Sequence, residues 1–230
     1  MRKPLFFRRF DYDRRLLPNL YLASLEEGVK DIDHAEQRSG WTIGYPGWGL
    51  IYHLLLAHLR PDTDNILLET GTNFGCTTII LAQALIDSGY AGQVHTIEID
   101  EETVEKARDI VSRANVGAQV VFHRGDSKEV LVHLAPAVGP IRAAFLDGSH
   151  EFNDVMTEFE RIEPHLDAGA IVIFDNTYQI AEEGEDPRVH GALPAIVERW
   201  GGSFINLEFV SWYTPGLAIW QREPFTLTQG

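Results

Sequence analysis

The stretch from Asn65 to Ile80, NILLETGTNFGCTTII, constrains the fold more than any other part of the chain. Three apolar residues lead to an acid, Glu69, which is followed by two glycines four positions apart, Gly71 and Gly75. A second apolar run then begins at a pair of threonines. This pattern predicts a buried strand that enters a tight turn and continues into the first turn of a helix.

The predicted turn suits a small-molecule ligand. Gly71 can adopt backbone angles that other residues avoid, and Gly75 allows the backbone to approach a ligand closely. Free amide groups at the start of the following helix attract a carboxylate or a phosphate. An ordinary strand–turn–helix corner is the alternative interpretation. We favour a cofactor site.

The size and charge of the chain exclude several classes of protein. A chain of 230 residues with 44% hydrophobic content can form one sizeable core. We therefore predict one domain over residues 41–230 and an N-terminal arm over residues 1–40. No apolar run approaches the ~20 residues that cross a bilayer, and the N-terminus lacks the apolar segment of a signal peptide. The net charge of −15 argues against a nucleic-acid partner. The one cysteine, Cys76, cannot form an intrachain disulfide, which fits a cytoplasmic location.

The N-terminal fifteen residues differ in charge from the remainder of the chain. They carry six basic side chains against two acids, a net +4, which leaves −19 on the other residues. A basic arm on an acidic body favours a homo-oligomer such as a dimer, in which the arm contacts a neighbouring subunit, or a site for an anionic group. A frayed and solvated end is the alternative.

Apolar runs alternate with amphipathic stretches from residue 50 onwards, which predicts an α/β, doubly wound fold. The predicted helices are Leu50–Leu59, Cys76–Asp87, Glu101–Ala114, Ser127–Ala135, Glu151–Leu166 and Pro187–Trp200. The predicted strands after the first are Gln93–Glu98, Gln119–His123, Ile141–Leu146, Ala170–Phe174, Phe204–Val210 and Leu217–Trp220. The last two strands are too close in sequence for a crossover helix, so we expect a C-terminal hairpin with one antiparallel strand in a mainly parallel, seven-stranded sheet. Residues 1–40 show no clean period, and Trp41–Gly49 is predicted as an ordered loop.

An acid closes or follows each of the first five predicted strands. These acids are Glu69, Glu98, Asp126, Asp147 and Asp175. Ligands of a doubly wound sheet lie beyond the carboxyl ends of the strands, so we expect the acids to converge on one crevice. Glu98 suits a bidentate hydrogen bond to the two hydroxyls of a ribose, although a solvated strand end is the alternative. The glycine pattern lacks the third glycine of a dinucleotide fingerprint, which favours an adenosyl cofactor without a pyrophosphate over NAD.

Four motifs in this order resemble those of the class I S-adenosylmethionine-dependent methyltransferases, over about residues 41–222. They are Glu69-Thr-Gly71-Thr-Asn-Phe-Gly75, Thr96-Ile-Glu98-Ile-Asp100, Gly125-Asp126-Ser127 and Phe145-Leu-Asp147. The resemblance implies a Rossmann-like methyltransferase fold. In it, Glu69 and Gly71 hold the methionine end of the cofactor, Glu98 holds the ribose, and Asp126 with Ser127 holds the adenine. The implied cofactor site also includes Thr72, Asn73, Gly75, Thr77, Ile99 and Asp147.

Asp147, Asp175 and Asn176 supply two carboxylates and an amide oxygen from neighbouring strand ends. Such hard oxygen ligands suit Mg²⁺ or another divalent cation. The set is similar to the metal site of the catechol and caffeoyl-coenzyme A O-methyltransferases and of the macrocin-type sugar O-methyltransferases. The segment Asp147-Gly-Ser-His150-Glu-Phe resembles the last group in particular. Simple capping of strands and neighbouring helices is the alternative role of the two aspartates.

A mechanism follows from these resemblances. A metal lowers the pKa of a bound substrate hydroxyl, and a base removes its proton as the oxygen attacks the sulfonium methyl group. His150 is the candidate base, because its ordinary pKa of about 6.5 suits proton transfer near neutrality. The catechol enzymes carry a lysine at this place, so Asp147 as the base, and His150 as a metal or substrate contact, stay open. Candidate walls of the acceptor site are Tyr45, Trp48, Tyr178 and His190.

These inferences together predict an S-adenosylmethionine-dependent and Mg²⁺-dependent O-methyltransferase. Its acceptor is a small molecule with neighbouring hydroxyls, such as a sugar or a catechol. The alternatives are a metal-independent methyltransferase of the same fold, an NAD-dependent oxidoreductase, and a binding subunit that keeps the crevice without catalysing a reaction.

Overall fold

The computed structural model describes residues 13–40, 42–178, 180–207 and 216–222, and the structural statements below refer to these residues. Its helices are α1 (Leu20–Glu26), α2 (Ile32–Ser39), α3 (Gly47–His58), α4 (Cys76–Ser88), α5 (Glu101–Arg113), α6 (Ser127–Val138), α7 (Phe152–Ile162) and α8 (Arg188–Trp200). Its strands are β1 (Asn65–Thr70), β2 (Gly92–Glu98), β3 (Val120–Arg124), β4 (Ile141–Leu146), β5 (Leu166–Asp175), β6 (Ser203–Leu207) and β7 (Leu217–Gln221). Short 3₁₀ turns cover Arg14–Leu16, Gly117–Gln119 and Glu163–His165.

The seven strands form one sheet in the order β3-β2-β1-β4-β5-β7-β6. Strands β1 to β5 are parallel to one another, whereas β7 runs antiparallel to both β5 and β6. The predicted fold, a doubly wound and mainly parallel sheet with one antiparallel C-terminal strand, is therefore confirmed. The strand order reverses between β1 and β4, which is where a sheet of this kind leaves a crevice for ligands.

Most predicted elements agree with the structure to within two residues, but several boundaries differ by three or more. Helix α6 ends at Val138 rather than at Ala135, and β5 begins at Leu166 rather than at Ala170. The third helix begins at Gly47 rather than at residue 50, so part of the predicted aromatic loop is helical. The predicted helix Glu151–Leu166 ends at Ile162, and Leu166 already belongs to β5. Pro164 lies in the intervening 3₁₀ turn, and a proline ring cannot continue the hydrogen-bond pattern of an α-helix.

The segment before residue 40 contains two helices that the sequence did not predict. A side-chain cap begins each of them, from Asn19 for α1 and from Asp31 for α2. Leu17 and Leu22 are buried in the same cluster as α3 and α4, so this part of the predicted arm packs onto the domain. The basic residues 1–12, Trp41, the end of the predicted strand Phe204–Val210 and most of the hairpin connection lie outside the described residues.

The sheet is covered on both faces because its central strands are apolar on both faces. In β1, Leu67 faces the cluster formed with α1, α3, α4 and α5. Its neighbour Leu68 faces the cluster formed with α6, α7 and α8. In β4, Phe145 and Ala144 divide in the same way. Alternation of side chains along a strand therefore gives one buried layer on each side of the sheet.

The first turn of α4 is tied to the end of α2. The buried thiol of Cys76 donates a hydrogen bond to the carbonyl oxygen of Ser39 at 3.4 Å. Burial raises the pKa of this thiol above its ordinary value. The contact attaches the N-terminal helices to the helix that follows the glycine turn.

None of the described helices combines the length and the apolar character that crossing a membrane requires.

Candidate active site

The glycine turn lies at the strand-order reversal, in contact with the end of β4. Gly71 has a φ of +80°, a left-handed conformation that favours glycine. A β-carbon at this position would lie 2.2 Å from the carbonyl oxygen of Asp147. The amide of Asp147 donates in turn to the carbonyl oxygen of Thr70 at 3.1 Å. Gly71 therefore brings the ends of β1 and β4 into direct contact, beside Asp147.

Gly75 is predicted to let the backbone approach a ligand closely. In the structure, a different reason explains why this residue is a glycine. Gly75 has a φ of +80° and caps α4. The space that its side chain would need is occupied by Val111 of α5, 2.9 Å from the ideal β-carbon. Helix packing thus accounts for this glycine. No side chain caps α4, so its first amides carry no cap hydrogen bond, and Thr77 is buried in the same turn.

Glu69 is completely buried at the end of β1. Its Oε2 atom accepts hydrogen bonds from Thr78 at 2.5 Å and from Thr96 at 2.6 Å. Thr96 also contacts the hydroxyl of Thr72 at 2.5 Å. The Oε1 atom is buried and has no hydrogen-bond partner among the described residues. Burial raises the pKa of Glu69 to about 8, against the opposing effect of the two threonine hydrogen bonds.

Glu98 joins the end of β2 to the glycine turn. Its Oε2 atom accepts a hydrogen bond from the amide of Asn73 at 2.9 Å. Its Oε1 atom accepts from the amides of Ile99 at 2.9 Å and Asp100 at 3.1 Å. Asn73 has a φ of +47°, and the side chain of Ile99 is 65% exposed. Each carboxylate oxygen offers two acceptor sites, so Oε2 retains one for a further donor.

Asp126 and Ser127 begin α6, as predicted, but their side chains are held by protein groups. Asp126 caps the helix by accepting from the amide of Lys128 at 2.9 Å. The hydroxyl of Ser127 donates to a buried acid, Glu158 of α7. Glu158 is not among the predicted site residues, although it lies on the apolar stripe that includes Val155 and Phe159. An acid on a buried helical stripe is the signal that would have identified it.

The ends of β4 and β5 bring three ligand-type side chains together. One ligand atom each from Asp147, His150 and Asp175 lie within 4.8 Å of one another. The His150 Nε2 atom is 3.0 Å from Oδ1 of Asp147. The two aspartates, predicted to share a site, are therefore neighbours, and His150 joins them.

The electrostatics of this cluster are those of an unneutralised acid pair. Burial, and then the charge of Glu158, raise the pKa of Asp147 well above its ordinary value. Burial, and then the charge of Asp147, do the same for Asp175. Burial lowers the pKa of His150, which favours the neutral imidazole. None of the ion pairs between described residues joins either aspartate to a lysine or an arginine.

Asn176, predicted as the third metal ligand, contacts the cluster through its amide group. Its Nδ2 atom is 2.9 Å from Nε2 of His150 and 3.2 Å from Oδ2 of Asp175. The residue has a φ of +56°, a conformation that asparagine tolerates better than most residues. The Oδ1 atom of Asp175 is buried and accepts no hydrogen bond from the described residues. An orphaned carboxylate oxygen beside a second carboxylate and an imidazole fits the donor set of a divalent cation.

The residues predicted to wall the acceptor site divide into two groups. Trp48 does not line a crevice: it is completely buried in the core because α3 begins at Gly47 and directs it inward. Tyr45 is half-buried and packs against the same core. Tyr178 is half-buried just after Asn176, and the Nδ1 atom of His190 lies 3.1 Å from the carbonyl oxygen of Thr177. The latter two therefore remain candidates beside the cluster.

Comparison with known proteins bears directly on this arrangement. Residues 68–177, just under half of the chain, match the sequence family described as "Methyltransferase domain". By sequence, this segment is similar to the methyltransferases of that family. It runs from the last three residues of β1 to just beyond β5 and includes the glycine turn, Glu98, Asp126, Asp147 and Asp175. The predicted resemblance to class I S-adenosylmethionine-dependent methyltransferases is thus confirmed, as is the predicted enzyme class.

Solved structures of methyltransferases share the fold of the whole described domain. One is the O-methyltransferase TomG from Streptomyces achromogenes, involved in tomaymycin synthesis and in complex with SAM, at TM-score 0.67 and 21% identity over 88% of this chain and 94% of that one. Another is the O-methyltransferase from Bacillus cereus in complex with SAH, at TM-score 0.69 and 22% identity over 89% and 96%. A third is a proposed caffeoyl-CoA O-methyltransferase from Staphylococcus aureus, at TM-score 0.65 and 19% identity over 89% and 98%. No curated protein sequence matches the chain significantly.

Proposed function

We propose that this methyltransferase domain uses S-adenosylmethionine and a divalent cation to methylate a hydroxyl of a small molecule with neighbouring hydroxyls. The observation that carries the proposal is the cluster of Asp147, His150 and Asp175, whose ligand atoms lie within 4.8 Å of one another. The two carboxyls have raised pKa values, and neither forms an ion pair with a lysine or an arginine among the described residues, so a bound cation would stabilise them.

The cofactor proposal is supported by the relatives and by the chemistry of the crevice. TomG and the Bacillus cereus enzyme are the proteins whose structures contain SAM and SAH. In this chain, the free acceptor site on Glu98 Oε2 suits a ribose hydroxyl, and exposed Ile99 beside it suits an adenine face. The orphaned Oε1 atom of Glu69 suits the ammonium group at the methionine end. When bound, the cofactor supplies the methyl group on a positively charged sulfur.

The residues that would hold the metal are Asp147 and Asp175, with the amide of Asn176 or the imidazole of His150 completing the set. A bound divalent cation supplies Lewis acidity, which lowers the pKa of a coordinated hydroxyl. The chain's own acids provide the negative charge that attracts such a cation. Burial of Asp175, which is 2% exposed, excludes water from one side of the site.

His150 is the proposed general base. Burial lowers its pKa, so its imidazole is neutral and able to accept a proton near pH 7. The contact of Nε2 with Asp147 Oδ1 at 3.0 Å orients the ring and would stabilise the imidazolium after proton transfer. The same contact supports a second candidate function, a metal-independent methyltransferase, because an Asp–His pair can act as a base without a cation.

Three measurements on the purified protein test the proposal. Calorimetry with S-adenosylhomocysteine and with NAD tests the cofactor, and we expect binding of the former only. Methyl transfer to a panel of catechols and vicinal polyols, with Mg²⁺ or with EDTA, tests the metal, and chelator-resistant turnover would support the metal-independent candidate. Absence of turnover on every acceptor, with cofactor binding intact, would support a binding subunit.

A substitution separates the two roles open to His150. If His150 is the base, His150→Asn lowers kcat about 100-fold or more and removes the acid limb from the pH–rate profile. If it is a ligand, the same variant raises the Mg²⁺ concentration required for half-maximal rate and leaves the acid limb in place. His53, outside the cluster on α3, offers the control His53→Asn, for which we expect wild-type kinetics.

The assembly and location of the protein remain proposals. We propose a homo-oligomer with the basic residues 1–15 at the subunit contact, and light scattering of the full chain against a variant lacking residues 1–12 tests it. A monomeric full-length chain would contradict it. We also propose a reducing, cytoplasmic environment, consistent with the buried free thiol of Cys76.

A further inference from the structure

Glu158 is a buried acid in a helix whose neighbouring buried residues are apolar. Val155, Phe159 and Ile162 of α7 face the second core cluster, and Glu158 lies among them with 1% of its surface exposed. A carboxyl in such a position is costly unless hydrogen bonds satisfy it. Its two oxygens accept from two hydroxyls, Thr70 Oγ1 at 3.0 Å and Ser127 Oγ.

The hydroxyl of Thr70 extends this contact to the end of β4. Its oxygen accepts hydrogen bonds from the amides of Asp147 and Gly148, both at 3.2 Å, and the Asp147 amide shares its hydrogen with the carbonyl oxygen of Thr70. These two donors occupy both lone pairs of the hydroxyl, so its hydrogen is available for Glu158. The direction of each bond in the chain from the amides through Thr70 to Glu158 is therefore fixed.

Gly148 allows Glu158 to approach the end of β4 closely. A β-carbon on Gly148 would lie 2.8 Å from Oε1 of Glu158 and 3.1 Å from the side chain of Thr70. Any larger residue would push Glu158 away from its partners. The glycine that follows Asp147 is thus explained by packing against this acid.

One carboxyl therefore connects the ends of three strands. Thr70 ends β1, Asp147 and Gly148 follow β4, and Ser127 begins the helix after β3. All three ends contribute to the crevice in which the proposed cofactor and metal lie. We infer that Glu158 is a positioning residue that holds the Ser127 turn and the Asp147 segment in register for cofactor and metal binding. This inference rests on the proposed function.

The bonding pattern predicts which substitution preserves the network. Burial raises the pKa of Glu158 to about 7, so its neutral and ionised forms are both accessible near neutrality. A glutamine offers one acceptor and one donor. Its oxygen can accept from Thr70, and Ser127 can rotate to accept from its amide. Glu158→Gln therefore keeps the geometry, whereas Glu158→Ala removes both contacts.

The test compares these two variants with a control on the same helix, Glu160→Ala. Glu160 is exposed and pairs with Arg199 on the surface. We expect Glu158→Ala to raise the Kd for S-adenosylhomocysteine and the KM for S-adenosylmethionine about tenfold. We also expect a higher Mg²⁺ requirement and a smaller change in kcat. For Glu158→Gln, the Kd and the KM should stay within about threefold of the wild-type values. For Glu160→Ala, both should equal the wild-type values.

A second readout is independent of the cofactor. Amide hydrogen exchange should increase in Glu158→Ala at residues 126–128 and 147–149 and remain unchanged there in the other two variants. If Glu158→Ala does not fold, Ser127→Ala and Thr70→Val can be used in its place in both measurements. Each of these variants removes one of the two contacts of Glu158.

The outcomes separate the inference from the proposed function. Suppose that wild type binds S-adenosylhomocysteine, and that Glu158→Ala shows the same Kd and the same amide exchange as wild type. This result would overturn the inference and leave the proposed function intact. Equal losses in Glu158→Ala and Glu158→Gln would also overturn it, because they would show that the charge matters and the geometry does not. Absence of cofactor binding by wild type would overturn the proposed function, and with it the role of Glu158 in cofactor binding.

Discussion

Buried charges are paired differently at the two ends of the parallel strands. We call the end at which these strands begin the amino edge of the sheet, and the end at which they finish the carboxyl edge. At the amino edge, Arg142 is the second residue of β4 and is 6% exposed. Its Nη1 atom donates to Asp167 and to the carbonyl oxygen of Ala168, both at 3.1 Å, and its Nε atom donates to the carbonyl oxygen of His58 at 3.0 Å. At the carboxyl edge, Asp147 and Asp175 have no such counterion among the described residues, and Asp175 keeps an oxygen without a donor.

This difference distinguishes a structural charge from a functional one. A buried ion whose partners are supplied by the fold contributes to a fixed structure and needs no ligand. Buried acids whose partners are missing have raised pKa values and favour the binding of a cation. The unpaired acids at the carboxyl edge therefore lower the stability of the fold, whereas the paired charges at the amino edge do not. We expect substitutions at the amino edge to affect stability and substitutions at the carboxyl edge to affect activity.

The largest expected effect is at the amino edge. Asp167→Ala leaves the buried guanidinium of Arg142 without its carboxylate and should lower the free energy of unfolding by about 3 kcal/mol. Urea denaturation at pH 7 measures this. Methyl transfer per folded molecule should be unchanged, because the site is at the other end of the strands. A loss below about 1 kcal/mol would show that Asp167 is not the main partner of Arg142.

The matching change at the carboxyl edge should affect activity instead. Asp175→Asn removes one charge of the acid pair, and its amide can donate a hydrogen bond to Asp147. We expect about a 100-fold loss of kcat/KM, or ~2.7 kcal/mol of transition-state stabilisation. In EDTA the variant should melt at a higher temperature than wild type. A lower melting temperature in EDTA would contradict the view that the two aspartates repel each other.

Protein stability should depend on pH through Glu69, a buried acid at the carboxyl edge. The folded state raises its pKa from 4.5 to about 8, so its neutral form is the one that burial favours. Stability from this group is fully present below pH 4.5 and is lost as the pH rises to about 8, at about 1.4 kcal/mol per pH unit. Glu69→Gln lacks this loss, because its side chain does not ionise. Its stability relative to wild type should increase between pH 5 and 8 in denaturation experiments, and a constant difference would contradict the assignment.

The smallest expected effect is at the surface pair of Glu160 and Arg199. Both side chains are about half exposed, so solvent screens their attraction. Glu160→Ala should change the free energy of unfolding by less than about 0.5 kcal/mol and leave kinetics unaltered. A larger loss would show that exposure does not separate structural from dispensable charges in this protein.

The sequence was sufficient for the sheet and for the acid pair at the crevice. Buried strands such as Ala170–Phe174 are continuous apolar runs, and parallel strands end at the same edge, so acids that follow them meet. The approach of Asp147 to Asp175 was predictable on these grounds. Their partner His150 was also singled out, because it lies three residues beyond Asp147.

Other features depend on packing that no local pattern records. Helix α1 buries few apolar residues and so shows no clear period, although Leu22 is fully buried. Trp48 was predicted at the crevice, but an aromatic residue in the first turn of a helix faces the core or a ligand according to the helix's orientation. Glu158 was missed because acids on helices are exposed by default, and only the hydroxyls of Thr70 and Ser127 make its burial possible.

The burial of Cys76 has a practical consequence. Because the chain has one thiol, and because that thiol is fully enclosed where α2 meets α4, a thiol-specific reagent can label the protein only when this junction opens. The rate of labelling therefore reports how often the N-terminal helices detach from the domain at this junction. Comparing that rate with and without bound cofactor would reveal whether the junction and the crevice, at opposite ends of the same glycine turn, loosen together.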